Sequence, residues 1–207
     1  MPTSRLEAFS DGVFAIAITL LVLEIPVPHV EHGKLADRLL DQWPSYAAYV
    51  VSFAIIGIIW MNHHAVFGYV RRADRGLLLL NLNLLLWVVL IPWPTSLLAE
   101  YMREGGSDER AAALVYALTM TLMGVSFGGI WLYIARRAQI GSLADLAPSE
   151  VRARPRRFVV GAPLYALSIA LALVSAPACL AVNALLAVYY ALPGGGAVAH
   201  AGEELES

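Results

Sequence analysis

The chain has 207 residues, of which 59% are hydrophobic and only 14% charged, and its mean hydropathy is +0.66. Soluble domains average about 45–50% apolar and about 25% charged residues, so this composition excludes an ordinary soluble domain and indicates an integral membrane protein. The formal net charge of −2 provides no excess of basic residues, so we expect no nucleic-acid partner.

Six apolar segments are long enough to cross a bilayer, which takes about 20 mostly apolar residues. The predicted spans are Leu6–Ile25, Tyr46–Phe67, Leu77–Leu98, Ala111–Ile134, Phe158–Ser175 and Ala178–Leu192. The last two flank Ala176-Pro177, and together they are too long for one crossing at about 1.5 Å per residue. The sequence therefore predicts an all-α integral membrane protein, with one six-helix domain over residues 1–192. The Gly-rich, then acidic stretch 193–207 is predicted to be a disordered tail.

The basic residues orient these spans in the membrane. Four of the 14 Lys and Arg residues fall on one side of the predicted topology, at Lys34, Arg38, Arg103 and Arg110. The other ten fall on the opposite side, at Arg5, Arg71, Arg72, Arg75, Arg136, Arg137, Arg152, Arg154, Arg156 and Arg157. Because cytoplasmic loops carry the excess of basic residues, both termini are predicted to be cytoplasmic, in a multi-pass protein of the cell inner membrane.

The first span contains an acid near its start. Asp11 lies about one and a half turns inside a segment that continues as an apolar run from Gly12 to Leu23. An ionisable group at the membrane centre costs about 2.5–3.5 kcal/mol on insertion scales, so it requires a partner within the protein. We therefore expect Asp11 to be buried and paired.

Polar residues of the first three spans are predicted to lie at one depth in the inner leaflet. They are Ser10, Asp11, Trp60, Asn62, His63, His64, Asn81 and Asn83. These groups can satisfy one another's hydrogen bonds, and Asn62, His63 and His64 are the candidate partners of Asp11. The set would act either as part of a transport mechanism or as a packing clamp with no role in transport. Adjacent His63 and His64 point about 100° apart on a helix, which does not suit a shared metal ion. No metal-ligand spacing is present, and we expect no metal site and no cofactor.

The opposite face of the first span is aliphatic. On a helical wheel Ile16, Leu20 and Leu23 form one stripe together with Thr19, whereas Asp11 falls on the other side. Such a stripe can face lipid. It can also face a symmetry axis, where copies of it would form a hydrophobic constriction about 10.5 Å long, and such constrictions gate ion flow by dewetting. Periodicity alone does not choose between these two.

The first span resembles a known motif. Arg5, Phe9, Ser10 and Asp11 match, in identity and spacing, the Arg-x-x-x-Phe-Ser-Asp motif of the transmembrane protein 175 family, which comprises lysosomal potassium channels and their bacterial relatives. The resemblance extends to residues 60–67, WMNHHAVF, and to the region of Asn81. Later spans match only in hydropathy.

The resemblance implies a potassium-permeable cation channel in which the first helix lines the pore. Family members with one six-helix repeat form homotetramers, so it also implies four copies around an axis in a lipid bilayer. The family's constriction falls at positions that are Ile16, Leu20 and Leu23 here, and its potassium-preferring hydroxyl ring falls at Thr19. Monovalent cations, and K⁺ near Thr19, are the implied ligands.

The sequence limits how selective such a pore can be. It contains no TVGYG loop, so selectivity from carbonyl rings is excluded at this helix, and one hydroxyl ring predicts modest preference for K⁺ over Na⁺. The Thr19 hydroxyl can instead bond to the Ala15 or Ile16 carbonyl of its own helix. The main alternative is a proton-coupled secondary transporter that uses Asp11, His63 and His64. No nucleophile–base pattern supports an enzyme. A structural subunit of another complex is a further alternative.

Overall fold

The structure, a computed structural model, describes residues 3–29, 33–139 and 164–191. Regular secondary structure in these ranges is helical, as expected for an all-α membrane protein. The predicted tail at 193–207, the arginines at 152–157 and the first residues of the fifth predicted span, 158–163, lie outside the described residues.

Eight helices follow one another along the described chain. They are α1 (Thr3–Leu20), which continues as a 3₁₀ turn (Leu21–Glu24), α2 (Leu35–Asp41), α3 (Trp43–Phe67), α4 (Arg75–Leu90), α5 (Pro92–Tyr101), α6 (Gly106–Gln139), α7 (described at 164–172) and α8 (Ala176–Ala191). Four segments are long and apolar enough to cross a membrane: Thr3–Glu24, Trp43–Phe67, Arg75–Tyr101 and Gly106–Ala138. These correspond to the first four predicted spans. The shorter apolar α8 corresponds to the sixth, and the count of six crossings stays a prediction.

The third predicted span is divided into two helices rather than continuous. Pro92 and Pro94 have no N–H to donate to the preceding turn, so the ladder of α4 ends and α5 begins after Ile91. Thr95 partly compensates for the break, because both its backbone N–H (3.1 Å) and its hydroxyl (2.8 Å) donate to the Ile91 carbonyl. Together, α4 and α5 still form one segment long enough to cross a membrane, with a break after Ile91.

A buried hydroxyl chain ties this break to the neighbouring helices. The Ser52 Oγ of α3 lies 2.8 Å from Thr95 Oγ1 and 3.1 Å from the Tyr116 hydroxyl of α6. Because Thr95 donates to Ile91, the consistent direction of donation is Tyr116 to Ser52 to Thr95. All three side chains are buried, so the Ser52 and Tyr116 hydroxyls need this chain to avoid being unpaired.

The long helix α6 supplies many of the buried side chains of the described core. It packs against α4, α5 and α8, and buries Tyr116, Met120, Met123, Ile130 and Ile134. α1 packs instead on α3 and α4. The position of α1 is therefore set mainly by α3 and α4, and α5 also contacts α1 and the 3₁₀ turn at its end.

Candidate functional site

The two faces of α1 have opposite environments. Its inward face is buried through Leu6, Ser10, Phe14, Ala17 and Leu21, which recur at helical spacing. Its outward face contains the predicted aliphatic stripe, which the rest of the described chain leaves uncovered. Ile16 is 59% exposed and Leu23 74%, and Leu20 and Thr19 are exposed as well. The face predicted to look away from the subunit therefore does so, while its role in a pore stays a prediction.

The outer end of the stripe differs from the continuous α-helix that the sequence predicts. From Leu21 to Glu24 the backbone is a 3₁₀ turn, with about 3.0 residues per turn and about 2.0 Å rise per residue. Residues three apart then line up, so Leu20 and Leu23 project in nearly the same direction. The length from Ile16 to Leu23 grows from about 10.5 to about 12 Å on these rises.

Thr19 adopts the alternative that the sequence allows. Its Oγ1 donates to the Ile16 carbonyl oxygen at 2.9 Å, within its own helix. A hydroxyl that donates its proton keeps its oxygen lone pairs as acceptors. The exposed Thr19 oxygen can therefore still face a cation, and its hydrogen bond orients the proton away from that face.

Asp11 is paired, but not as the sequence predicts. Its Oδ1 accepts a 2.8 Å hydrogen bond from the indole Nε1–H of Trp60, and the carboxylate is half-buried rather than buried. Hydrogen bonds to an ionised acceptor are about twice as strong as neutral ones. The prediction of a carboxylate satisfied by histidine or amide groups is wrong for the hydrogen-bond partner, because α3 presents the indole to Asp11 and turns His63 toward α4.

The histidine belongs to a second, separate group of hydrogen bonds. His63 Nε2 lies 2.8 Å from Asn81 Oδ1, and Asn81 Nδ2 donates to Ser10 Oγ at 2.9 Å. Ser10 in turn donates to the Leu6 carbonyl at 2.9 Å. Since the Asn81 oxygen can only accept, His63 Nε2 carries the proton that it shares. All three polar side chains are buried, so α1, α3 and α4 are joined by a closed polar chain.

Aromatic rings enclose the histidine of this chain. Phe67 stacks on the His63 ring at 4.1 Å between centroids, and Phe14 of α1 meets it edge-on at 5.4 Å. These contacts leave the ring little rotational freedom. The Ser10–Asn81–His63 chain is thus held both by hydrogen bonds and by packing.

The other predicted polar residues do not join either group. Asn62 donates to the Ile58 carbonyl of its own helix at 2.9 Å. Asn83 donates to Ser126 Oγ of α6 at 2.7 Å, because it lies two residues from Asn81 and faces a different neighbour. His64 is exposed beside the Trp60 ring, 6.5 Å between centroids. Arg5 and Phe9 are also exposed, on α1. The prediction that the polar residues of the first three spans form one hydrogen-bonded group is therefore wrong.

A third anchor, at the start of α4, was not among the residues predicted from the sequence. Asp74 caps that helix by accepting from the Leu77 N–H at 2.8 Å, and it accepts from the Tyr133 hydroxyl of α6 at 2.7 Å. Arg137 lies 3.9 Å from the same carboxylate. Partial burial of Asp74 acts to raise its pKa, but these hydrogen bonds and the Arg137 charge together lower the pKa below its ordinary value. An Asp just before an apolar run is a helix-start signal that the sequence offered.

A contact of the N-terminus completes the anchoring of α1. Thr3 Oγ1 donates to the Val70 carbonyl at 3.1 Å, which fixes the first turn of α1 to the loop between α3 and α4. Within the described residues, no group of three or more His, Cys, Asp or Glu side chains could hold a metal ion. What the site offers is an anchored helix with an exposed aliphatic face.

The fold and the site define a class of protein: α-helical membrane proteins whose first helix is held by polar contacts on one face and bare on the other. The chain belongs to the TMEM175 family. A family model described as endosomal/lysosomal potassium channel TMEM175 matches residues 5–92, and a potassium channel of Streptomyces collinus is 52% identical over 189 residues, 91% of each chain. The motif resemblance read from Arg5 to Asp11 is confirmed.

Solved structures and vertebrate relatives agree with this membership. The crystal structure of a lysosomal potassium-selective channel TMEM175 homologue from Chamaesiphon minutus superposes with a TM-score of 0.80 at 42% identity, covering 91% of this chain and 96% of that one. The chicken endosomal/lysosomal proton channel TMEM175 is 36% identical over 124 residues, 56% of this chain and 25% of that protein. The relatives are named as channels, not as enzymes.

Proposed function

We propose that this chain is a potassium-permeable cation channel, formed by four copies whose α1 helices surround a central pore. The observation that carries the proposal is the two-faced α1: one face is fixed by Asp11–Trp60 and by the Ser10–Asn81–His63 chain, and the other exposes an aliphatic stripe that contains Thr19. The potassium-channel relative at 52% identity supports the choice of axis over lipid for that stripe.

In this channel the stripe is the gate. Rings of Ile16, Leu20 and Leu23 would line about 12 Å of pore with side chains that offer water no hydrogen bond. A hydrophobic constriction of this kind closes by dewetting and conducts when it widens or becomes polar. The anchors of α1 set which way these rings point, so they are positioning groups rather than ion ligands.

Selectivity is proposed to come from Thr19. Four Thr19 oxygens facing the axis would supply one ring of partial negative charge, and K⁺, whose hydration shell is lost more readily than that of Na⁺, gains most from it. One such ring without carbonyl sites predicts a modest preference for K⁺. The protein is proposed to act as a homotetramer in the cell inner membrane, with six crossings and both termini cytoplasmic.

The proton-coupled transporter using Asp11, His63 and His64 is less well supported. Asp11 bonds to Trp60, while His63 bonds to Asn81 and His64 is exposed, so no hydrogen bond among the described residues joins the three groups. The vertebrate relatives that are named proton channels make proton permeation a question of channel selectivity. Proton flux is therefore measured together with K⁺ and Na⁺ flux.

The test is flux through purified protein in liposomes. Wild type is compared with Ile16→Asn and Leu23→Ala, and with Leu79→Asn, a control on α4 whose side chain is as exposed as that of Ile16, 59% in each case. We expect K⁺ flux above Na⁺ flux, and raised or less selective flux in the two α1 variants only. No flux in any of these proteins, each shown to be a folded tetramer, would overturn the proposal. Equal effects of Leu79→Asn and Ile16→Asn would remove α1 from the pore.

A further inference from the structure

A cavity lies on the side of α3 away from α1. Its volume is about 160 Å³, it is lined by residues of α3, α6, α7 and α8, and it is open on one side. Most of its lining is apolar, from side chains such as Ile55, Ile59, Met120 and Leu186. No charged side chain is among the lining residues. The cavity does not touch the α1 stripe, and nothing in the proposed conduction pathway uses it.

Two glycines of α6 create this space. A Cβ on Gly124 would lie 2.6 Å from Cε2 of Tyr165, so only glycine lets that ring approach α6 and form the cavity wall. A Cβ on Gly128 would meet nothing within 4 Å, so the room beside it is unfilled. Val125, between them, is exposed at the rim, which gives access from the membrane.

Two asparagine side chains in the cavity wall have an oxygen that accepts no hydrogen bond among the described residues. The Nδ2 group of Asn62 donates to the Ile58 carbonyl. The Nδ2 group of Asn183 donates to the Cys179 carbonyl and to Ser168 Oγ. Among the described residues, no hydrogen bond uses Oδ1 of either asparagine. An apolar cavity with a few convergent polar groups is the usual form of a small-molecule site.

We propose that this cavity binds a small, uncharged aromatic molecule that bears one hydroxyl group, of the phenol class. An apolar cavity of about 150 Å³ binds benzene, which sets the size to one ring. The absence of charged side chains from the lining excludes an ionised ligand, because no group there would offset its desolvation. The free Oδ1 atoms of Asn62 and Asn183 select a hydrogen-bond donor over a bare ring.

Occupancy would act on the channel through α3. The same helix places Asn62 and Ile59 on the cavity, and Trp60 and His63 on α1 and α4. A bound ring that increases the distance between α3 and α6 would displace Trp60 and His63, which hold α1. This consequence rests on the proposed channel function, so binding is measured apart from flux.

The experiment follows the ¹⁹F resonance of 4-fluorophenol titrated with the full-length protein in bicelles. The variant Gly128→Leu fills the cavity, and the adjacent Gly129→Leu, whose Cβ also meets nothing within 4 Å and which does not line the cavity, is the control. We expect saturable binding to wild type and Gly129→Leu, and at least tenfold weaker binding to Gly128→Leu. Size-exclusion chromatography and circular dichroism check that each variant is folded, and Gly128→Val replaces Gly128→Leu if that variant is not.

Fluorobenzene tests the polar part of the proposal. It should bind at least several-fold more weakly than 4-fluorophenol, because it cannot donate to an asparagine oxygen. Equal binding of the two would mean that any apolar group, including a lipid acyl chain, is the occupant, and would overturn the phenol class. Unsaturable partition into the bicelles alone, the same for wild type and all variants, would overturn the site itself.

Discussion

Replacing Asn81 by leucine tests whether the Ser10–Asn81–His63 chain holds the helices together. Asn81 is fully buried, accepts from His63 at 2.8 Å and donates to Ser10 at 2.9 Å. Leucine has a similar volume, so the substitution removes the hydrogen bonds while leaving little cavity. Ser10 keeps its bond to the Leu6 carbonyl, whereas the His63 Nε2–H loses the acceptor described for it.

The expected cost follows from that orphaned donor. Leaving a buried donor unsatisfied costs about 1–3 kcal/mol, and the loss of the bond to Ser10 adds little, since polar contacts between membrane helices average about 0.6 kcal/mol. We therefore expect Asn81→Leu to lower the free energy of unfolding by about 2 kcal/mol, which is about a 30-fold change in the folded-to-unfolded ratio.

The measurement is unfolding by SDS titration in bicelles, with Asn83→Leu as the matched control two residues along the same helix. Asn83 is exposed, and its partner Ser126 keeps a 2.7 Å bond to the Leu122 carbonyl, so this control should cost less than about 0.5 kcal/mol. A cost for Asn81→Leu no larger than for Asn83→Leu would refute the reasoning, because the buried chain would then contribute nothing beyond an exposed contact.

Three further predictions concern the other anchors. Trp60→Phe removes the indole donor to Asp11 and should cost about 0.5–1.5 kcal/mol, in the same SDS titration, because the pair is partly exposed; no change would mean that the pair is not formed. Gly76→Ala places a methyl group against the Tyr133 hydroxyl and should cost about 1–3 kcal/mol, partly recovered by adding Tyr133→Ala; full tolerance would contradict the close approach. The pKa of Asp74 is lower in the folded state than its ordinary value of about 3.9. The folding stability that the ionised carboxylate contributes is therefore complete above about pH 3.9, and it is lost as the pH falls through the lowered pKa of the folded state. Asp74→Asn should therefore lower the melting temperature at pH 7 and flatten its fall below about pH 4; an unchanged acid limb would remove Asp74 from that role.

Much of the fold could be predicted because hydropathy reports burial in lipid directly. The four long spans and α8 coincide with apolar runs, and their ends fall within a few residues of the predicted ones. The break at Ile91 was not predicted, although Pro92 and Pro94 signal it, because hydropathy stays high across the proline pair. The 3₁₀ turn at Leu21–Glu24 has no such signal, since its residues are ordinary for an α-helix.

The sequence could predict that the polar residues of the site lie at a similar depth in the membrane, but not which of them form hydrogen bonds with each other. The topology correctly places Asp11, Trp60, His63 and Asn81 within reach of one another, because spans of known direction have their polar residues at known heights. Which group bonds to which depends on the rotation of each helix about its axis. The weak amphipathicity of apolar helices leaves that rotation undetermined, so the sequence could not assign Trp60 to Asp11.

The structure also explains why α1 needs two anchors at neighbouring positions. Ser10 and Asp11 project about 100° apart, so their contacts with α4 and α3 hold α1 from two directions and oppose its rotation either way. With one of these contacts removed, rotation of α1 would be opposed only by the other contact, by the Thr3–Val70 bond and by the packing of its buried face, so the stripe would be held less firmly toward the proposed axis. Removing either Trp60 or Asn81 alone should therefore lower the stability of the fold without abolishing gating. Removing both should leave the Ile16, Leu20 and Leu23 side chains without a fixed orientation relative to the rest of the subunit. Flux in the double variant Trp60→Phe/Asn81→Leu, raised beyond the combined effects of the single variants, would be the signature of that coupling; strictly additive effects would mean that each contact acts alone.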